Sequence, residues 1–236
     1  MILGSRCTRN CGFCAVDSSG PDPLDPREPE MIADAASVLG LRYVVVTSVT
    51  RDDLPDGGAE HFARTISAVK FRLPNAKVEV LVPDFRGDAG ALRTVLDAKP
   101  DVFNHNIETV ARNYPLVRPG AEYVRSLRLL QQAAGSSPGF PVKSGFMLGL
   151  GETYEEIVEL LGDLRRSGCH ILTIGQYLRP TKNNLAVVEY IRPEAFAELG
   201  RRALDMGFRF VASGPLVRSS MHAEEMFRAV KSNGDG

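Results

Sequence analysis

The chain has 236 residues, 44% of them hydrophobic and 24% charged, with a formal net charge of −1. That balance excludes a disordered or collagen-like chain, and the evenly mixed signs argue against a basic surface for nucleic acid. No apolar run reaches the ~18 residues of a membrane-spanning helix, so neither a membrane nor nucleic acid is an expected partner.

In chain order, residues 1–3 read as the stump of a first strand. They lead directly to a cysteine with no apolar leader, so a cytoplasmic location is expected. There, clustered cysteines read as a metal or redox site rather than a disulfide framework. Cys7, Cys11 and Cys14 follow at C-x3-C-x2-C spacing. Residues 18–29 carry too many prolines for regular structure and read as a long loop over one end of the fold. A helix is expected over 30–39 and a strand over 43–47 (YVVVT). Phe62, Ile66 and Val69 stripe a second helix, and 77–82 is the next strand. A helix over 89–96, a strand over 101–106, a helix over 123–134 and a strand over 142–148 continue the alternation. Thr153 and Glu156 fit a capping box ahead of an apolar stripe of Ile157, Leu160, Leu161 and Leu164, with Gly168 as the stop. A strand over 171–175 follows, then a helix opened by Pro193 and striped by Phe196, Leu199 and Ala203, then a strand over 208–212. The tail past Met221, ending in KSNGDG, is expected to fray.

Strand–helix alternation of this kind specifies an α/β fold with parallel strands and crossover helices. No dinucleotide-binding glycine fingerprint follows the first strand. A partial (β/α)6-type barrel with outer helices and a truncated first strand is therefore expected. Nothing divides the chain, so 1–236 reads as one domain with a C-terminal extension from about 213.

Thiolates are soft ligands for zinc or iron–sulfur clusters. Three close cysteines with no nearby fourth ligand fit a closed zinc site poorly and a four-iron cluster with one open iron well. A zinc site borrowing Cys169 or a histidine is the competing reading. Cys169 itself, between a helix end and an apolar strand, reads as a small packed hydrophobe.

The C-x3-C-x2-C segment resembles the radical S-adenosylmethionine (SAM) superfamily, down to the aromatic Phe13 before the last cysteine. The stretches CTRNCGFCAV, VVVTSVTRDDLPDGGAEHF, FNHNIETV, KSGFMLGLGET, TIGQYLRPT and VASGPLVRSSMHAEE resemble the lipoyl synthase family, in order and over nearly the whole chain. The resemblance implies a SAM-binding [4Fe-4S] cluster held by Cys7, Cys11 and Cys14, with SAM chelating the open iron and giving a 5′-deoxyadenosyl radical on reduction. It implies a sulfurtransferase that inserts two sulfur atoms, at C6 and C8 of an octanoyl group. That group is borne by a lipoyl-carrier domain of a 2-oxoacid dehydrogenase subunit or a glycine-cleavage carrier protein. An external electron donor is a further implied partner.

Individual residues follow from that resemblance and from their positions. Thr47 and Ser48 end a strand, where hydroxyls meet SAM or cap the strand. Asp52 and Asp53 orient a ligand amine or cap the next helix. Asn104, Asn106 and Glu108 alternate, so they share one side and read as ribose or methionine contacts, while His105 packs outside. Arg118 and Arg125 are candidate forks for a carboxylate. Lys143 lies on an apolar strand and needs a partner facing the site. GLGET, 149–153, is either a cradle for polar groups or a plain tight turn. Gln176 ends a strand at the barrel mouth. The family's RSS motif places an auxiliary-cluster ligand at Ser219 or Ser220, the second preferred.

The second, auxiliary [4Fe-4S] cluster of the family also takes three cysteines from an N-terminal extension. The chain as given lacks that extension, so it is expected to build the SAM cluster but not the sulfur donor. The complete protein would then be about fifty to eighty residues longer. Met221 replaces the tyrosine familiar at the end of the RSS motif. A biotin-synthase-like thiolating enzyme and an inactive remnant are the alternatives.

Overall fold

The computed structural model describes residues 1–137, 140–221, 223–225 and 227. His222 and the KSNGDG tail lie outside the described residues. The chain divides into two compact units, the first made of 1–10 and 16–104, the second of 11–15 and 105–236. Among the described residues are six parallel strands with flanking helices, three strands in each unit.

In the first unit the order is α1 (Glu28–Val38), β1 (Tyr43–Thr47), α2 (Ala59–Arg72), β2 (Lys77–Leu81), α3 (Ala89–Asp97) and β3 (Val102–Asn104). Tyr43 stands opposite Lys77, and Glu79 opposite Val102. The expected stump is a single parallel bridge between Ile2 and Ser48. The helix α1 starts earlier than its apolar pattern suggests, at Glu28, with Pro29 in the first turn. Proline is tolerated there because that turn's amides have no helical acceptor. The loop before it is anchored: Asp22 accepts from the Ser5 amide and hydroxyl and pairs with Arg6 at 2.7 Å. The helix α2 buries Phe62, Ile66 and Val69 and lies against β2, which buries Val78 and Val80 in the core of this unit.

The second unit holds α4 (Tyr114–Val117), α5 (Tyr123–Ala134), β4 (Val142–Leu148), α6 (Tyr154–Arg166), β5 (Ile171–Gln176), α7 (Pro193–Asp205) and β6 (Phe210–Ser213). The capping box of Thr153 and Glu156 forms as expected. The strand expected over 101–106 stops at Asn104 as regular structure. Beyond it, His105 N–H donates to the Lys143 carbonyl and Glu108 N–H to the Gly145 carbonyl, so this stretch runs beside β4. Both strands β4 and β5 are buried on nearly every residue, as parallel strands covered on two faces are. The last strand starts two residues later than its β-branched run implies, because Phe208 turns into the core after the left-handed Gly207. Cys169 is wholly buried, and burial pushes its thiol up to about 12.

Candidate functional site

In the first unit, the loop carrying Cys7 is tied down by its own backbone. The Cys7 amide donates to the Asp17 carbonyl, and the Thr8 amide to the Thr50 carbonyl. Two amides converge on the sulfur: Thr50 N–H at 3.3 Å and Arg9 N–H at 3.4 Å from Cys7 Sγ. Asp52 does not stand open to a ligand. Arg9 holds both of its oxygens, at 2.7 and 2.9 Å. Asp53 is held by the Arg51 fork in the same way. Neither caps α2, whose N-cap is the left-handed Gly58; Asp56, two residues before it, accepts from the Gly58 and Glu60 amides. Burial would lower the Arg9 guanidinium, but the bonds to Asp52 and Asp84 outweigh it and hold the pKa above its ordinary value. Thr47 closes β1 with its carbonyl taken by the Ile2 amide. Among the described residues, Ser48 Oγ and Asn104 Oδ1 are buried with no hydrogen-bond partner, while the Asn104 amide donates to Glu79.

In the second unit, the turn 11–14 is closed by a bond from the Cys14 amide to the Cys11 carbonyl. It is clamped by Asn184, whose Nδ2 donates to the Cys14 carbonyl at 2.8 Å, and by the Gly12 amide on the Val117 carbonyl. A Cβ at Gly12 would lie 2.9 Å from the Leu116 carbonyl oxygen and 2.8 Å from Leu185 Cδ1, so no larger residue fits. All four cysteines are thiols rather than disulfides. Among the described residues, no three His, Cys, Asp or Glu side chains stand preassembled as a metal-ligand set.

The same unit contains a cavity of about 160 Å³ lined by Phe13, Asn106, Glu108, Thr173 and Gln176, with Met147 and Val217 as apolar wall and Ser219 at one side. Burial pushes the Glu108 carboxyl above the usual carboxylate range, against the opposing pull of Arg118 and a hydrogen bond from Asn106. Asn106 Oδ1 is buried there without a partner among the described residues. A Cβ at Gly145 would collide with Thr173 Oγ1 and lie 3.1 Å from Asn106 Oδ1, so the glycine keeps this corner open. Thr173, Gly145 and Met147 were not among the residues expected from sequence. Thr173 and Gly145 carried a signal, as polar or small residues on otherwise apolar strands, and Met147 carried none.

Other expected residues have different surroundings. Arg118 donates to the Asn106 and Ile107 carbonyls and the Tyr114 hydroxyl and does not line the cavity. Arg125 pairs with exposed Glu122. His105 is buried against the Ser126 hydroxyl, away from the cavity. The Gln176 amide is committed to the loop 177–191: Nε2 donates to the Tyr177 and Glu189 carbonyls, and Oε1 accepts from Ile191. In GLGET, Glu152 takes the Gly149 and Leu150 amides itself, which makes this stretch a tight turn and not a cradle. Lys143 donates to the Ser219 carbonyl. Ser220 is exposed and does not line the cavity.

The model of the Radical SAM superfamily matches residues 1–164. The solved structure of HydG, a maturase of the [FeFe]-hydrogenase, is similar over 98% of this chain and 54% of its own, with a TM-score of 0.72 at 15% identity. The fold is therefore that of a radical SAM enzyme. The lipoyl synthase of Caldanaerobacter subterraneus subsp. tengcongensis is 58% identical over 95% of this chain and 78% of its own length. That of Rubrobacter xylanophilus is 58% identical over 95% of this chain and 70% of its own. Within the radical SAM superfamily, the chain belongs to the lipoyl synthase family.

Membership implies a [4Fe-4S] cluster and SAM. The residues present fit both. Two amides aimed at Cys7 Sγ are the kind of donors that a metal-bound sulfur accepts. The unpartnered Asn106 Oδ1 and the Glu108 carboxyl offer acceptors for the amino and hydroxyl groups of a polar ligand. Among the described residues, no helix is long and apolar enough to cross a membrane.

Proposed function

We propose that this chain is a radical SAM sulfurtransferase that converts a protein-bound octanoyl group to lipoyl by sulfur insertion at C6 and C8. The observation that carries the reading is the high identity to lipoyl synthases over nearly the whole chain, with Cys7, Cys11 and Cys14 in the superfamily spacing. The family match crosses from the first unit into the second, which supports one catalytic domain over 1–236.

Cys7, Cys11 and Cys14 would hold the [4Fe-4S] cluster as thiolates. When bound, that cluster and SAM supply the one-electron chemistry that breaks unactivated C–H bonds. Asn106 accepts from a ribose hydroxyl or from the methionine amine. Burial favours the protonated form of Glu108, and an entering ammonium would draw the group toward its ionised form. Phe13, Met147 and Val217 keep water from the reacting carbon. Ser48 and Asn104 offer further hydroxyl and amide contacts, and Thr47 supports them at the strand end. Asp52 and Arg118 act through the residues they hold, and Gln176 shapes the wall with its amide fixed on the following loop. Ser219 or Ser220 would be one ligand of an auxiliary [4Fe-4S] cluster, whose chemistry would supply the sulfur; of the four cysteines in the chain as given, only the buried Cys169 remains besides Cys7, Cys11 and Cys14. The substrate is an octanoylated lipoyl-carrier domain, with an external protein as electron donor.

The test is anaerobic reconstitution, followed by incubation with SAM, dithionite and an octanoylated carrier domain. The expected results are 5′-deoxyadenosine and loss of hydrogen from the octanoyl chain, with thiolation wherever the auxiliary cluster is complete. SAM cleavage that never depends on the octanoyl carrier would overturn the assignment.

A further inference from the structure

Arg9 lies two residues beyond Cys7, and its side chain is only 5% exposed. Its Nε and Nη2 grip both oxygens of Asp52, and Nη2 also reaches Asp84 Oδ1 at 2.7 Å. The Asp84 side chain is wholly buried. Two buried charges, Arg9 and Asp84, with a half-buried Asp52 beside them, are a poor way to gain stability, since apolar residues of the same volume commonly do as well. What such a cluster does supply is direction.

The hydrogen bonds show what is directed. The Asp52 amide donates to Thr8 Oγ1, and Thr8 Oγ1 donates to the Thr50 carbonyl. The amides of Thr50 and Arg9 then point at Cys7 Sγ. The Arg9–Asp52 fork thus closes a ring of chain that runs from Cys7 through Arg9 to Asp52 and Thr50, and back to the sulfur. Asp84, just past β2, ties that ring to the sheet of the first unit.

We propose that Arg9 is a positioning residue whose fork on Asp52 and Asp84 fixes the two N–H···S bonds to Cys7 and so sets the reduction potential of the cluster. This rests on the reading of Cys7 as a cluster ligand. Amide bonds to a ligating sulfur stabilise the reduced, more negative cluster and raise its potential. Loosening the ring makes reduction harder.

A purely electrostatic role makes the opposite forecast for one variant. Asp52→Ala removes a negative charge, which by charge alone raises the potential, yet it also removes the fork, which by positioning lowers it. Arg9→Lys keeps the charge and loses the fork. The experiment is a redox titration of the reconstituted chain, followed by electron paramagnetic resonance without SAM, beside iron analysis and hydrogen exchange at the Thr50 amide. The expected result is about four irons per chain in the wild type. Both variants then shift to more negative potential, and their Thr50 amide exchanges at least about tenfold faster. A positive shift in Asp52→Ala, or unmoved potentials in loaded variants, overturns the inference alone. For a variant that does not retain iron, unchanged exchange at Thr50 in a chain of native circular dichroism overturns it equally. A wild type that takes up no iron overturns both this inference and the family reading beneath it.

Discussion

Lys143 Nζ donates to the carbonyl oxygen of Ser219 at 2.5 Å, from a side chain with no exposed surface. The bond spans 76 residues of sequence and fixes the segment after β6 at the side of the cavity that Ser219 lines. The Gln176 backbone N–H holds the same segment at the Pro215 carbonyl. Lys143→Met replaces the ammonium with an apolar group of similar size, so global stability should stay within about 1.5 kcal/mol. The local effect should be large. Hydrogen exchange across 215–221 is expected to quicken, and octanoyl-dependent turnover to fall well below SAM cleavage. Unchanged exchange in that segment would show that Lys143 does not hold it.

Gly12 has no room for a side chain. In Gly12→Ala the new methyl meets the Leu116 carbonyl oxygen at 2.9 Å, a backbone atom that yields little. The turn that carries Cys11 and Cys14 must shift, at a cost of about 1–3 kcal/mol. Iron retained after desalting should drop at least severalfold, which metal analysis reads directly.

Glu108 gives stability a pH dependence of known sign. Its folded pKa is raised by burial above the unfolded value. The folded state then holds a proton that the unfolded chain releases, so this contribution is full below the unfolded pKa and is lost as pH rises through the folded one. Glu108→Gln should stabilise the ligand-free chain at neutral pH and flatten that slope, as denaturant unfolding at several pH values would show. It should also weaken SAM binding at least tenfold, the signature of a group kept for its ligand and not for the fold.

Cys169 should be chemically silent. With a thiol pushed up to about 12 by burial, it stays protonated at neutral pH and should resist alkylation in the native state. Cys169→Ala should cost about 1 kcal/mol and leave the iron content unchanged. Iron loss in that variant would restore the zinc-type reading in which Cys169 is a ligand.

The apolar alternation made the strands legible, and Tyr43–Thr47 and Val142–Leu148 match their expected bounds. Ends were harder to read, because they depend on tertiary turns. Phe208 looks like strand but enters the core after Gly207, and Pro29 looks like loop but opens α1. At the site, the cysteine spacing and the alternation of Asn106 and Glu108 were visible in one dimension. The partners of the charged residues were not. Asp52 lies 43 residues from Arg9 and Asp84 lies 75 residues from it, and no local pattern announces a fork across those distances. Asp52 therefore read as a ligand contact, although Arg9 occupies both of its oxygens.

The most direct measurement of the central claim compares the anaerobically iron-loaded chain with its Cys7→Ala, Cys11→Ala, Cys14→Ala triple variant. The wild type is expected to be brown, with charge-transfer absorption that bleaches on reduction, and to release 5′-deoxyadenosine from SAM. The triple variant should be colourless and release none. An iron spectrum that survives the loss of all three thiols would contradict the claim.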